Sequence, residues 1–381
     1  MVFSISRKGG RGVCPGTFAV LGMLCLLPGM AVASIGTEVV RPADDAVVLN
    51  MDDTAIALAG GAVSPDPALP PDKLVQELRV LIDRSRATGS PRPLGLAAGL
   101  MDRSSQAEWT PQVYLMRATI HQRLHRFDLA EADLTRVLEA EPDNRQAWLT
   151  RYSIALVRGD MEGARLACHR LAEQQSGLIA LSCTQELASF GEPQQAYQQL
   201  ALALQGAGDV GSVEYDYASV TLAEIATRLE LPEAEEHWQR ALLRDPADLY
   251  RRARYADWLL AQDRNAEVLP LTEGMEAVDT LAVLRAIALT RLEHPQQSQL
   301  VDDLEERFAE ARWRGEFLHE WEYARFLLDV KSDAEAALAA ARSNWETQRA
   351  PVDRALLLRA AAVAGQPSGI KDAEFGTGST L

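Results

Sequence analysis

The chain of 381 residues is poor in lysine, histidine and cysteine, and these shortages limit the chemistry that it can carry. It has four lysines, six histidines and four cysteines. The sequence contains no Gly-x-x-x-x-Gly-Lys-Ser/Thr loop, no Gly-x-Ser-x-Gly nucleophile elbow and no Cys-x-x-Cys-His haem attachment motif. Because no nucleophile is paired with a base in any known pattern, we expect a protein that is not an enzyme and that holds no cofactor.

The first 33 residues predict a secretory signal peptide. Three basic residues precede the apolar run Phe18–Leu27, and small residues follow at Ala31–Ala33. These are the charged region, the apolar region and the cleavage site of such a peptide, so we expect cleavage after Ala33 and a periplasmic or secreted protein. An uncleaved membrane anchor is the alternative, but the run is shorter than the roughly 18 apolar residues that span a bilayer. We therefore predict no transmembrane segment after signal cleavage.

The predicted mature chain is strongly acidic. Removing residues 1–33 leaves 35 basic and 54 acidic residues, a net charge of −19. A protein that binds nucleic acid needs a basic surface, so we expect no nucleic-acid partner. Neutral or basic protein partners remain compatible with this charge, although acidity by itself mainly favours solubility.

Two cysteines, Cys168 and Cys183, remain in the predicted mature chain. They lie at nearly equal distances from a break in the helical pattern at residues 174–177, so they face each other if the flanking helices are antiparallel. Because exported compartments preserve disulfides, we predict a bridge between them. Two buried free thiols are the alternative. Neither cysteine has the neighbouring histidine or the Cys-x-x-Cys spacing of a catalytic or redox site.

Composition divides the chain into four segments. After the signal peptide, prolines, glycines and aspartates interrupt every helical run between residues 34 and 71, which we predict to be a linker. A helical pattern of apolar residues then extends over residues 72–365. From residue 366 to residue 381, glycine, serine and threonine dominate, and we predict a disordered tail.

Small apolar residues recur along the helical segment at a nearly constant spacing. The positions are Ala97, Ala130, Ala164, Ala196, Ala234 and Val268, with a further one at Ala336. The gaps are 33, 34, 32, 38 and 34 residues, and the last is 68, or twice 34. A period near 34 with helical patterning is typical of stacked helix–turn–helix units, each of which packs against its neighbours.

The clearest unit covers residues 111–144, and it resembles the tetratricopeptide repeat (TPR). The residue classes of that family are matched by Tyr114, Ala118, His121, Ala130, Leu134, Val137 and Pro142. The later unit with Ala234, Trp238, Ala241 and Pro246 matches as well. The resemblance implies an all-α protein of the exported bacterial type. Its expected fold is a right-handed α-solenoid of about seven helix–turn–helix units, closed by a capping helix over residues 351–364.

The resemblance also implies that the first helix of each unit lines a concave face where a peptide or a partner helix binds. The candidate residues are Gln112, Leu115, Thr119, Gln122, Gln146, Leu149, Ser153, Asp216, Ser219, Tyr250 and Asp257. An ordinary solvated face is the alternative for any one of them. The lysine and asparagine clamp with which some family members hold chaperone tails is missing at the corresponding positions. We therefore expect a non-catalytic interaction scaffold of the bacterial cell envelope that is not a receptor for chaperone tails.

Two histidines, His121 and His125, are one helical turn apart, a spacing that can bind zinc or copper. The pair lacks the glutamate of the His-Glu-x-x-His motif, and His121 occupies a packing position of the repeat. We therefore predict no metal site. A periplasmic metal-handling accessory protein that uses these two histidines and the acidic surface is the alternative function.

Overall fold

The described part of the chain is entirely helical. The computed structural model describes residues 69–104, 106–174, 177–208, 211–315 and 319–368. The predicted signal peptide, the linker up to residue 68 and the predicted tail from residue 369 lie outside these ranges. The described residues contain 17 α-helices and no β-strand, which confirms the all-α prediction. None of these helices is both long and apolar enough to cross a bilayer.

Sixteen of the helices form eight successive pairs in chain order. The first four pairs are α1 (Pro71–Thr88) with α2 (Arg92–Asp102), α3 (Pro111–Arg123) with α4 (Phe127–Ala140), α5 (Arg145–Arg158) with α6 (Met161–Glu173), and α7 (Gly177–Ala188) with α8 (Pro193–Gly206). The other four are α9 (Val213–Arg228) with α10 (Ala234–Arg244), α11 (Leu249–Ala261) with α12 (Asn265–Thr272), α13 (Asp279–Arg291) with α14 (Gln297–Trp313), and α15 (Glu320–Asp329) with α16 (Ala334–Thr347). Helix α17 (Pro351–Ala364) follows the last pair, and a short 3-10 helix (Gln106–Glu108) precedes α3.

The helices pack mainly on their neighbours in the chain. The two helices of each pair pack on each other. First helices of successive pairs also contact one another: α1 contacts α3, for example, and α11 contacts α13. Helix α17 packs on both α15 and α16. The structure thus has eight pairs and a final helix, where the sequence predicted about seven units and a capping helix.

The small residues that set the period lie at the contacts between helices. Ala97, Ala130, Ala164, Ala196, Ala234 and Val268 are all at most 1% exposed. The last predicted position is wrong by one residue, because Ala337 is fully buried and Ala336 is only partly so. Ala337 is the fourth residue of α16, the same place that Ala130 has in α4 and Val268 has in α12. A side chain larger than these would hold the paired helices apart.

A residue with left-handed backbone recurs in the turn between the two helices of a pair. These residues are Gly89, His125, Gly159, Glu230, Asp263, Glu293 and Ser332. Glycine adopts this conformation without a steric penalty, and other residues do so uncommonly. Five of the seven turns therefore reverse the chain without the glycine that would have marked them in the sequence.

A disulfide joins the third pair to the fourth. The Cys168 and Cys183 sulfurs are 2.01 Å apart and link α6 to α7, which confirms the predicted pairing. Both residues lie in the core, together with Tyr152 of α5. The bridge therefore fixes α6 against α7, at the junction between the third and fourth pairs.

Residues far apart in the chain also meet, at two contacts that we together call the seam (Gly89, Val157, Val278 and Arg349). The backbone N–H of Arg349 donates to the carbonyl of Val157 at 2.5 Å. The Val278 side chain lies so close to Gly89 that a Cβ on this glycine would stand 2.8 Å from a Val278 methyl group. The partners are 192 and 189 positions apart. The array of helices thus returns on itself after about five and a half pairs.

A charged cavity as candidate functional site

The first helices of the pairs surround a cavity of about 1060 Å³. Its wall is built by residues of α5, α7, α9, α11, α13, α15 and α17, and the ends of α1 and α3 complete it. The cavity forms where these helices lie side by side, and the seam residues Gly89, Val157 and Val278 also line it. Its volume is at the upper end of the roughly 300–1,000 Å³ that is typical of ligand sites. That space suits a small molecule or a single extended chain better than a folded domain.

One wall of the cavity carries a network of paired charges. The Glu224 carboxylate accepts hydrogen bonds from Arg254 Nε and Nη2, both at 3.0 Å, and from the Tyr250 hydroxyl at 2.6 Å. Asp257 accepts from Arg325 at 2.8 Å. Burial raises the pKa of Glu224, but Arg254, the Tyr250 hydrogen bond and the Arg228 charge together outweigh burial and leave this pKa below its usual value. These charges hold the inner helices in register and leave little net charge on the wall.

Glu186 is a carboxyl group of the same cavity with a different environment. Its Oε2 accepts a hydrogen bond from the Tyr152 hydroxyl at 2.9 Å. Burial raises the pKa of Glu186, and the nearby Arg228 charge and the Tyr152 hydrogen bond offset this only in part. The Arg228 guanidinium instead donates to Ser189 Oγ at 2.6 Å and lies over the Phe190 ring. Glu186 is thus an acid without a close cationic partner among the described residues.

We expect Glu186→Gln to stabilise the protein increasingly as the pH rises from about 4 to about 7. An acid whose pKa is raised by folding holds its proton more tightly in the folded state, so its contribution to stability falls as the pH rises through the folded pKa. The glutamine keeps an oxygen for the Tyr152 hydroxyl and cannot ionise. Urea unfolding of both proteins over this pH range measures the difference in the free energy of unfolding.

The matched control is Glu139→Gln, on the exposed side of α4. This variant should follow the wild type at every pH. A difference between Glu186→Gln and the wild type that is constant with pH, or that shrinks as the pH rises, would contradict the raised pKa.

The residues predicted for a partner-binding face are divided by the structure. Ser153, Tyr250 and Asp257 line the cavity. Leu115, Thr119 and Leu149 are at most 5% exposed and pack between helices. The others are not among the residues that line the cavity: Gln112, Gln122, Gln146, Asp216 and Ser219.

The reason for this division is the rotation of each helix about its own axis. On α9 the sequence placed Asp216 and Ser219 on the inner face, whereas Tyr217, Val220 and Glu224 line the cavity. One position changes the direction of a side chain on a helix by about 100°, so a one-residue error moves it off the face. Asp216 is instead paired with Arg244, which extends from the second helix of that pair.

Apart from Asp257, the charged residues that line the cavity were not predicted from the sequence. Arg254, Arg228 and Arg325 lie on first helices, as predicted binding residues should, but an arginine is as common on a solvated face. The sequence did contain one signal for the cavity-lining face of α11. Tyr250, Arg254, Asp257 and Ala261 follow one another at helical spacing along α11, and all four line the cavity.

The structure places the two candidate metal ligands in different surroundings. His121 lies near Asp133, with 3.9 Å between Nε2 and the carboxylate, and His125 stacks on Phe127. Burial lowers the pKa of His125 to about 4, so this imidazole is neutral at physiological pH. Across the described ranges there is no group of three or more histidine, cysteine, aspartate or glutamate residues that could hold a metal ion.

Comparisons with known proteins add no relative. No protein-family model, no curated protein and no solved structure matches the chain.

Proposed function

We propose that this protein is an exported, non-catalytic scaffold of the tetratricopeptide type that binds an extended segment of a partner protein inside the cavity. The observation that carries the proposal is the cavity wall, which first helices of successive pairs build together. In an α-solenoid this is the concave face, where repeat proteins hold peptides and partner helices. Paired charges and tyrosines on this wall offer hydrogen bonds to a peptide backbone.

The proposal includes the place of action. A signal peptide cleaved after Ala33 would bring the protein to the periplasm of a bacterial cell envelope, where the Cys168–Cys183 disulfide is stable. The partner would be an envelope protein, and the scaffold would serve its assembly, transport or secretion.

Site-specific photo-crosslinking tests the proposal in the full exported chain. A benzophenone amino acid at Ser153 or Tyr250 would face the cavity, and the same group at Leu243, which is 80% exposed on α10, is the matched control. We expect both cavity positions to crosslink one defined envelope protein and Leu243 not to do so. Peptide mapping of the product by mass spectrometry should then identify one continuous partner segment. Equal crosslinking from Leu243, or none from either cavity position, would refute binding in the cavity.

A further inference from the structure

Three hydrogen-bond donors in the cavity wall have no acceptor among the described residues. They are Arg123 Nε, Arg228 Nε and Trp321 Nε1, all of which are buried atoms. All three side chains line the cavity, and they come from α3, α9 and α15. Buried polar groups in proteins are almost always hydrogen-bonded to protein or to ordered water, so these three donors are available to the acceptors of a ligand. The unmet buried atoms of this cavity include no acceptor.

Of the three side chains, Arg123 has the fewest partners in the protein. It ends α3 at the cavity, and no ion pair or hydrogen bond joins it to any described residue. The one charge that shifts its pKa is another cation, Arg86. Burial and the Arg86 charge together lower the pKa of Arg123 to about 10, so the guanidinium is still charged at neutral pH. A cation that is partly buried beside a like charge is unfavourable unless an anion joins it.

Of the acidic residues that line the cavity, Asp83 and Asp248 act on Arg86, and no acidic residue among those described acts on Arg123. Asp83 lies 3.7 Å from Arg86, and its side chain is 46% exposed. Asp248 accepts the backbone N–H of Arg251 at 2.9 Å and caps α11. Asp279 accepts from Arg307 at 2.6 Å. None of these carboxylates pairs with Arg123, so the positive charge there is left for a ligand.

We infer that the cavity recognises carboxylate side chains of an acidic, extended peptide segment, with Arg123 holding a carboxylate and Trp321 Nε1 available to another acceptor of the segment. This inference rests on the proposed function and names the chemistry of the segment. A guanidinium can hold a carboxylate through two parallel hydrogen bonds, which makes arginine the residue best suited to it. The aromatic and aliphatic parts of the wall then contact the rest of the segment.

Fluorescence anisotropy with short labelled peptides tests this inference on the full exported chain. One peptide carries glutamates at alternate positions, and the other carries glutamines at the same places. We expect the glutamate peptide to bind at least about tenfold more tightly at low salt, and its affinity to fall as salt rises. Arg123→Gln should remove this preference and leave the affinity for the glutamine peptide unchanged, whereas Arg123→Lys should restore part of it.

The matched control is Arg165→Gln, an exposed arginine of α6 outside the cavity, which should bind as the wild type does. Thermal melting of each variant shows whether it is folded. Equal binding of the two peptides, or an unchanged preference in Arg123→Gln, overturns the inference. If neither peptide binds while cavity crosslinking succeeds, this inference is wrong and the proposed function stands. If both tests fail, both are wrong.

Discussion

Replacing Trp238 with alanine is expected to lower the free energy of unfolding by about 3–5 kcal/mol, as removal of a buried tryptophan does elsewhere. The Trp238 side chain is completely buried in α10, in the largest apolar cluster of the described residues. Its Nε1 donates to Thr227 Oγ1 of α9 at 2.8 Å. Alanine would therefore leave a cavity between the two helices of the fifth pair and remove the hydrogen bond that joins them at Thr227. Urea unfolding followed by far-UV circular dichroism measures the loss.

Trp313 provides a matched control for this experiment. It is 86% exposed at the end of α14, so Trp313→Ala should change stability by less than about 0.5 kcal/mol. The conservative variant Trp238→Phe keeps most of the volume and should be less damaging than Trp238→Ala. If Trp238→Ala and Trp313→Ala had similar effects, the packing of α10 on α9 described above would be wrong.

Removing the disulfide with the double substitution Cys168→Ala and Cys183→Ala is expected to lower the free energy of unfolding by about 3 kcal/mol. The two cysteines are 15 positions apart, and a bridge that closes a loop of this size restricts the unfolded chain to that extent in the chain-entropy model. Loss of two buried side chains adds a smaller packing effect. Equilibrium unfolding under oxidising conditions measures the sum.

Chemical reduction separates the contribution of the bridge to stability from the contribution of side-chain packing. A thiol reductant should destabilise the wild type by nearly the same amount and should leave the double variant unchanged. Wild-type stability that does not respond to reductant, in a chain whose thiols become alkylated, would show that the bridge contributes nothing to stability.

The repeat and the disulfide could be predicted because both are local in the chain. The spacing of Ala97, Ala130 and Ala164 reports close contacts within and between neighbouring pairs, and those contacts need no knowledge of distant residues. The same holds for Cys168 and Cys183, which lie on successive helices. Local periodicity was therefore enough for an all-helical array of paired helices.

The cavity could not be predicted in the same way. Its wall depends on how far each first helix is rotated about its own axis, and on contacts between distant pairs such as those of the seam. Neither feature has a sequence signature, which is why Ser219 was placed on the inner face and Glu224 was not. The left-handed residues of the turns could not be predicted for a different reason. In the sequence, His125 and Glu293 do not differ from other polar loop residues, although both have a left-handed conformation in the structure.

The seam has a consequence for how this protein unfolds. In an open repeat array, stability is a sum of units and nearest-neighbour interfaces, so the terminal units can fray independently. Here the hydrogen bond from Arg349 to Val157 ties the end of the eighth pair to the third, and Val278 rests against the turn of the first. We therefore expect fraying at one end to weaken distant pairs, which gives the array the cooperativity of a globular domain.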